Sequence, residues 1–103
     1  MNKLPDNVRL AFQRSSLGEI YSAIRCIALG YTYEKVLTIV YYLDREVEEI
    51  DRERQAELAT EMLADLPADA IKDIVEKCIH TRLPIRELDP LDGFVYARME
   101  EEE

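Results

Sequence analysis

Glycine, proline and cysteine are scarce in this chain of 103 residues, which holds 3, 4 and 2 of them. So few turn formers, beside plentiful Ala, Leu, Ile, Glu and Arg, argue against a turn-rich β architecture and predict helix along most of the chain. Histidine is rarer still, with His80 alone, so no residue pair offers a nucleophile with an imidazole base beyond that one position. Long apolar runs are absent: no segment approaches the roughly 18 apolar residues needed to span a bilayer. Met1 to Asp6 has no apolar core of a secretory leader, which reads as a cytoplasmic protein. No glycine-rich loop that could cradle a phosphate occurs.

Positive charge is also in deficit. The chain carries 13 basic and 22 acidic residues, for a net charge of −9. That field repels phosphate backbones and anionic membranes, so direct nucleic-acid or lipid binding is disfavoured and a basic protein partner is expected. Hydrophobic residues make up 48% of the chain, enough for one core, and the length fits a single domain. The expected organisation is a single helical domain over residues 1–99 followed by an acidic tail, Glu100 to Glu103.

Apolar spacing gives the expected elements. Leu4 to Asn7 can cap a short helix carrying Val8, Leu10, Ala11 and Phe12 that runs into Ser15-Ser16. Ser16-Leu17-Gly18-Glu19 has capping-box form, and Leu17, Ile20, Ile24, Ile27 and Ala28 follow at helical spacing as far as Gly30. Thr32 would cap a third helix whose segment Val36 to Leu43 is apolar nearly all round and should lie centrally. Helix is expected again through Val47, Ile50, Leu58, Met62 and Leu66, with a break between Asp44 and Asp51, because one uninterrupted helix would far exceed the usual length. Pro67 suits the first position of another helix, with Ile71, Ile74, Val75, Cys78 and Ile79 as its buried stripe. Pro84 and Pro90 bracket a loop, and Leu91 to Met99 reads as a short helix or an extended arm. The fold class that follows is all-α, a compact bundle of four to five helices.

Little in the chain points to reaction chemistry. Glu76 and His80 would share a helical face, but two ligands do not make a metal site. Asp65, Asp69, Asp73 and Glu76 match four ligand positions of a calcium loop, yet Ala70 stands where its glycine must be. Cys26 and Cys78 lie far apart in apolar contexts and read as reduced packing residues. No metal, no cofactor and no catalysis are expected.

The singular feature is Asp44 to Glu57, with seven carboxylates against Arg45, Arg52 and Arg54. If helical, Tyr42, Glu46, Glu49 and Glu53 fall in one stripe, an aromatic heading a ladder of like charges that costs a few tenths of a kcal/mol per pair. A basic partner would offset that cost; the alternative is a solvated face on which Arg45 reaches Glu48 or Glu49. Tyr41 and Tyr42 add apolar area with a hydroxyl, a chemistry suited to interfaces.

With its size, this acid-rich segment and the pair in Ile39-Val40-Tyr41-Tyr42, the chain resembles small acidic helical immunity proteins that neutralise bacterial nuclease toxins. It departs from them at Leu43, where the colicin DNase immunity family carries proline. The resemblance implies a partner-binding surface of Tyr41, Tyr42, Glu46, Glu49 and Glu53 that grips a basic toxin. Two other roles share the composition: a helical regulatory or assembly adaptor, forming homo-oligomers through an apolar groove near Tyr31 to Tyr42, and a phage anti-defence protein.

Overall fold

The computed structural model describes residues 4–100 and shows an α+β fold. In chain order the elements are α1 (Asp6–Ser15), β1 (Ile24–Tyr31), β2 (Val36–Leu43), α2 (Glu49–Asp65), β3 (Asp73–His80), a short 3-10 turn (Ile85–Glu87) and β4 (Gly93–Ala97). The four strands form one sheet in the order β3-β2-β1-β4. β1 pairs antiparallel with β2 and β4, whereas β2 and β3 run parallel, joined by α2 as the crossover. A parallel pair needs such a connection, because no tight turn can return the chain to the same end.

This corrects the all-α expectation. Three of the expected helices, those over Ser16 to Gly30, Val36 to Leu43 and Pro67 to Arg82, contain strands instead. For the first two, the physical reason is burial on both faces. Ile24 to Leu29 and Leu37 to Leu43, apart from Thr38, are buried almost without interruption, so their apolar runs lack the alternation of a half-exposed strand. Their composition nonetheless favours strand, since Val36, Thr38, Ile39, Val40, Tyr41 and Tyr42 are β-branched or aromatic. α1 and α2 are helices as expected, and the break expected between Asp44 and Asp51 is the loop that separates β2 from α2. Leu91 to Met99 is the extended alternative, supplying β4.

One face of the sheet carries both helices. Val8, Ala11 and Phe12 of α1 and Leu58, Ala59 and Met62 of α2 pack on Ile24, Ile27, Leu29, Leu37, Ile39, Tyr41 and Leu43. An irregularity in the β1–β2 register between Ile24 and Cys26 lets Ile24 and Ile27 face the same core although three residues apart. The opposite face, Cys26, Ala28, Val40 and Tyr42, is covered by Leu88, Ile85, Leu91 and Phe94 from the segment after β3 and from β4. Gly30 lies against Leu91, and a β-carbon there would sit in ordinary contact with Leu91 Cβ at 3.4 Å.

Gln55 fastens α2 to the parallel pair. Its buried side chain donates to Ile39 O at 3.0 Å and to Lys77 O at 2.8 Å, and its carbonyl accepts the Cys78 thiol at 3.2 Å. Both carbonyls belong to strands of one ladder, so a single amide fixes the height and rotation of the helix above it. The same anchoring decides which face of α2 looks outward.

Candidate partner-binding surface

Tyr41 and Tyr42, adjacent on β2, point to opposite sides of the sheet and both are buried, at 1% and 5% exposure. Tyr41 belongs to the helix-side core. Tyr42 lies on the other face, donates its hydroxyl to Asp89 O at 2.9 Å and meets Phe94 edge-on at a centroid distance of 6.4 Å. Burial raises both phenol pKa values. These rings build the core, and the gripping role that the resemblance assigned to them has no surface to act from. The stripe from Tyr42 through Glu46 dissolves for the same reason: Tyr42 is on a strand and Glu46 is in the loop before α2.

Tyr33 is the tyrosine that faces solvent. It is fully exposed at the β1–β2 turn, where Lys35 N–H donates to Thr32 O and Lys35 takes a φ of 67°, the left-handed residue that closes a tight hairpin. Residues 37–42, apart from Thr38, are in the interior, so the concavity near the expected groove is confined to the hairpin end, where Tyr31, Thr32, Tyr33 and Lys35 line a hollow of about 670 Å³ with Pro5 and Asp92.

α2 begins on a dense hydrogen-bonded knot around Asp51. The carboxylate accepts Arg45 Nη1 at 2.7 Å and Nη2 at 2.9 Å, the Tyr21 hydroxyl at 2.6 Å and the Glu48 N–H at 2.7 Å. Glu48 and Asp51 together form a capping box, which satisfies free amides of the first turn. Hydrogen bonding to Arg45 holds the Asp51 carboxyl at about 2, against its burial. Tyr21 is pushed the other way, by burial and by its bond to that carboxylate. A second knot closes the opposite side of the sheet end. Arg25, buried, donates to both Glu100 oxygens at 2.8 and 2.7 Å and to Thr81 O, while Arg98 pairs with Asp44 at 2.8 Å and with Glu100 at 3.0 Å. Glu100, read as the start of the tail, is therefore a clamp; Glu101 to Glu103 lie outside the described residues.

The remaining acids of α2 are arranged differently. Its buried stripe is Asp51, Gln55, Leu58, Ala59 and Met62, and Glu49, Glu53, Glu57 and Glu61 recur every four residues on the exposed side. Among the described residues, no ion pair reaches any of these four or Glu46. Of the nearby arginines, Arg54 lies over the Tyr21 ring at 5.3 Å and Arg45 is held by Asp51, Glu46 O and, at 3.9 Å, Glu48, while Arg52 is exposed on α2 with no ion pair among the described residues. Glu49 and Glu53 thus share a stripe, as expected, and the spacing of four continues to Glu57 and Glu61, which periodicity past Glu53 already signalled.

Reactive groups are not gathered anywhere comparable. Cys26 and Cys78 face opposite sides of the sheet as free thiols, each raised by burial to about 11, far from thiolate reactivity. Glu76 and His80 sit four residues apart on a strand, roughly 13 Å along its axis, too far to share a ligand. Among the described residues no three His, Cys, Asp or Glu side chains are grouped to hold a metal ion.

Comparison with known protein families decides what such a surface belongs to. The model of the family described as MafI2 immunity protein matches residues 5–100. The chain belongs to the MafI2 immunity protein family. No curated protein matches it. The match spans α1 through the Glu100 clamp, so the MafI2 unit includes both helices, the whole sheet and both arginine knots.

Proposed function

We propose that this chain is a toxin-neutralising immunity protein that works by binding, and that the outward face of α2 meets a basic toxin of the nuclease type. Membership of the MafI2 immunity protein family over nearly the whole described chain carries the reading of the role. The charge supports the finer part: Glu49, Glu53, Glu57 and Glu61, on a helix whose orientation Gln55 fixes, and Glu46 in the loop before it form no ion pair among the described residues. Enzymes that act on nucleic acid present cationic grooves to phosphate, and a rigid row of carboxylates can occupy such a groove in place of substrate. Neutralisation then needs no chemistry from this chain, only occupancy. Its action would lie in the cytoplasm of the producing cell, in keeping with two free thiols.

The test is stoichiometric. The neighbouring gene is expected to encode a toxin domain; expressed alone, that domain should arrest growth and degrade nucleic acid, and one equivalent of this chain should abolish both. Inhibition that requires large molar excess, or a toxin domain indifferent to the chain, would reject the immunity role; full protection against a toxin with no nuclease activity would reject only the nuclease assignment.

A further inference from the structure

The sheet ends in two edges of unequal character. β4 is five residues long, is interrupted in its register between Ile27 and Ala28 of β1, and is followed by Arg98, which is held by Ser22 O, Asp44 and Glu100. β3 is eight residues long, pairs in unbroken register with β2 and has no strand on its other side among the described residues. It contains no proline and no bulge, two of the devices that blunt an edge, and its only such protection is charge, at Asp73, Glu76 and Lys77. Thr81 N–H donates to Leu43 O, and Gln55 bonds the Lys77 carbonyl inside the ladder. Alternation along a parallel pair then turns the amides of residues 75, 77 and 79 toward β2 and those of Ile74, Glu76 and Cys78 outward. The first of these outward amides is satisfied locally by Asp73 Oδ1 at 2.9 Å.

Beside this edge runs a groove of about 310 Å³ with an apolar wall of Ala59 and Leu63 from α2 and a mixed floor in which Lys72, Asp73 and Glu76 flank the apolar Ile74. Leu63 is 44% exposed, and no ion pair reaches the exposed Glu76 among the described residues. Open backbone donors and acceptors on a straight edge call for an extended peptide, and the apolar wall beside them for alternating side chains. A second copy of this chain suits the edge poorly. Outward-facing residues must oppose one another, so the two longest antiparallel registers place each Glu76 against its own copy or each Lys77 against its own copy, and directly opposed like charges destabilise.

We propose that the open edge of β3 takes up an extended segment of the toxin as an added strand, with a lysine or arginine of that segment against Glu76 and an apolar side chain against Leu63. The proposal rests on the reading that a toxin is the partner and adds where its backbone is held. It gives the interface two parts: the acid ridge of α2 sets charge, and the β3 edge sets register.

Amide hydrogen exchange on the full chain, alone and saturated with the toxin domain encoded beside it, tests this directly. The outward amides of Glu76 and Cys78 should slow by more than about tenfold in the complex, while β4 amides change little. Glu76→Lys should weaken toxin binding by about tenfold or more, and Glu76→Gln by less, because the neutral amide keeps the shape without the repulsion. A toxin that binds and is inhibited while the β3 amides exchange as before would overturn the strand-pairing proposal and leave the immunity role standing. No toxin binding at all would remove both. Protection of these amides that grows with protein concentration in the absence of toxin would show a second copy on the edge and would also overturn it.

Discussion

Two sets of carboxylates in this protein have opposite surroundings. Asp44, Asp51 and Glu100 are each gripped by arginines of the same chain, through Arg98, Arg45 and Arg25. Among the described residues, Glu49, Glu53, Glu57 and Glu61 sit on α2 without such partners. The first set lies where loops meet the sheet end and the helix start, the places where backbone groups lack partners and a charge can be enclosed. The second lies on a regular helix surface where nothing in the fold requires a carboxylate. An excess of acid in the composition therefore divides into charge that holds the structure and charge left over for a partner.

Breaking the locked set should cost the most. Asp51→Ala strands Arg45, the Tyr21 hydroxyl and the Glu48 amide together, and the expected loss is about 3 kcal/mol of unfolding free energy by urea denaturation. Asp51→Asn keeps the shape but not the charge and should lose roughly half as much. Glu100→Ala leaves the buried Arg25 guanidinium with only Thr81 O and, on the exposed side, frees Arg98; about 2 kcal/mol is expected by the same measurement.

Acid sharpens the comparison without mutation. Asp51 is held at about 2 in the fold and titrates near 3.9 when unfolded. A depressed carboxyl contributes stability that is fully present above its unfolded value and is lost as pH falls toward its folded one. Between about pH 5 and pH 2 the chain should thus lose roughly 2 kcal/mol through this group. Glu100, lowered by its bond to Arg25, adds to the loss in the same direction. Asp51→Asn should flatten that limb of the stability profile, and an unchanged limb would show that the knot does not govern it.

The free set should behave in the opposite way. Glu53→Gln or Glu57→Gln removes repulsion between carboxylates four apart, so thermal stability should hold or rise by a few tenths of a kcal/mol. A drop beyond about 1 kcal/mol would mean that these side chains have structural partners after all.

The same division governs what was legible in the sequence. The Glu49 to Glu61 ladder is a local pattern, four residues from one member to the next, and could be read from the chain as far as Glu53 before any fold was known. α1 and α2 were also legible, because each buries one stripe and exposes the rest. The Asp51 knot was not: Arg45 and Glu48 lie only six and three residues from Asp51, but Tyr21, thirty residues away, is brought to it by the β1–β2 hairpin. Nor were the strands. Val36 to Leu43 looks uniformly apolar because it lies between two covered faces, and a run of that length is compatible with a buried helix or a buried strand. Gly30 was read as a helix stop, whereas it lies within β1 against Leu91. The tyrosine pair misled for a related reason: on a helix Tyr41 and Tyr42 would have left one ring near the surface, but on a strand with both faces covered they fill two cores.

The most direct test of the division is the association rate of the adjacent-gene toxin domain with a Glu49→Lys, Glu53→Lys, Glu57→Lys variant, followed by stopped flow across a series of salt concentrations. The account predicts a rate lower by about tenfold or more at low salt and a flattened salt dependence, with the melting temperature within a few degrees of the parent chain. A variant that folds normally and associates as fast as the parent at every salt concentration would contradict it.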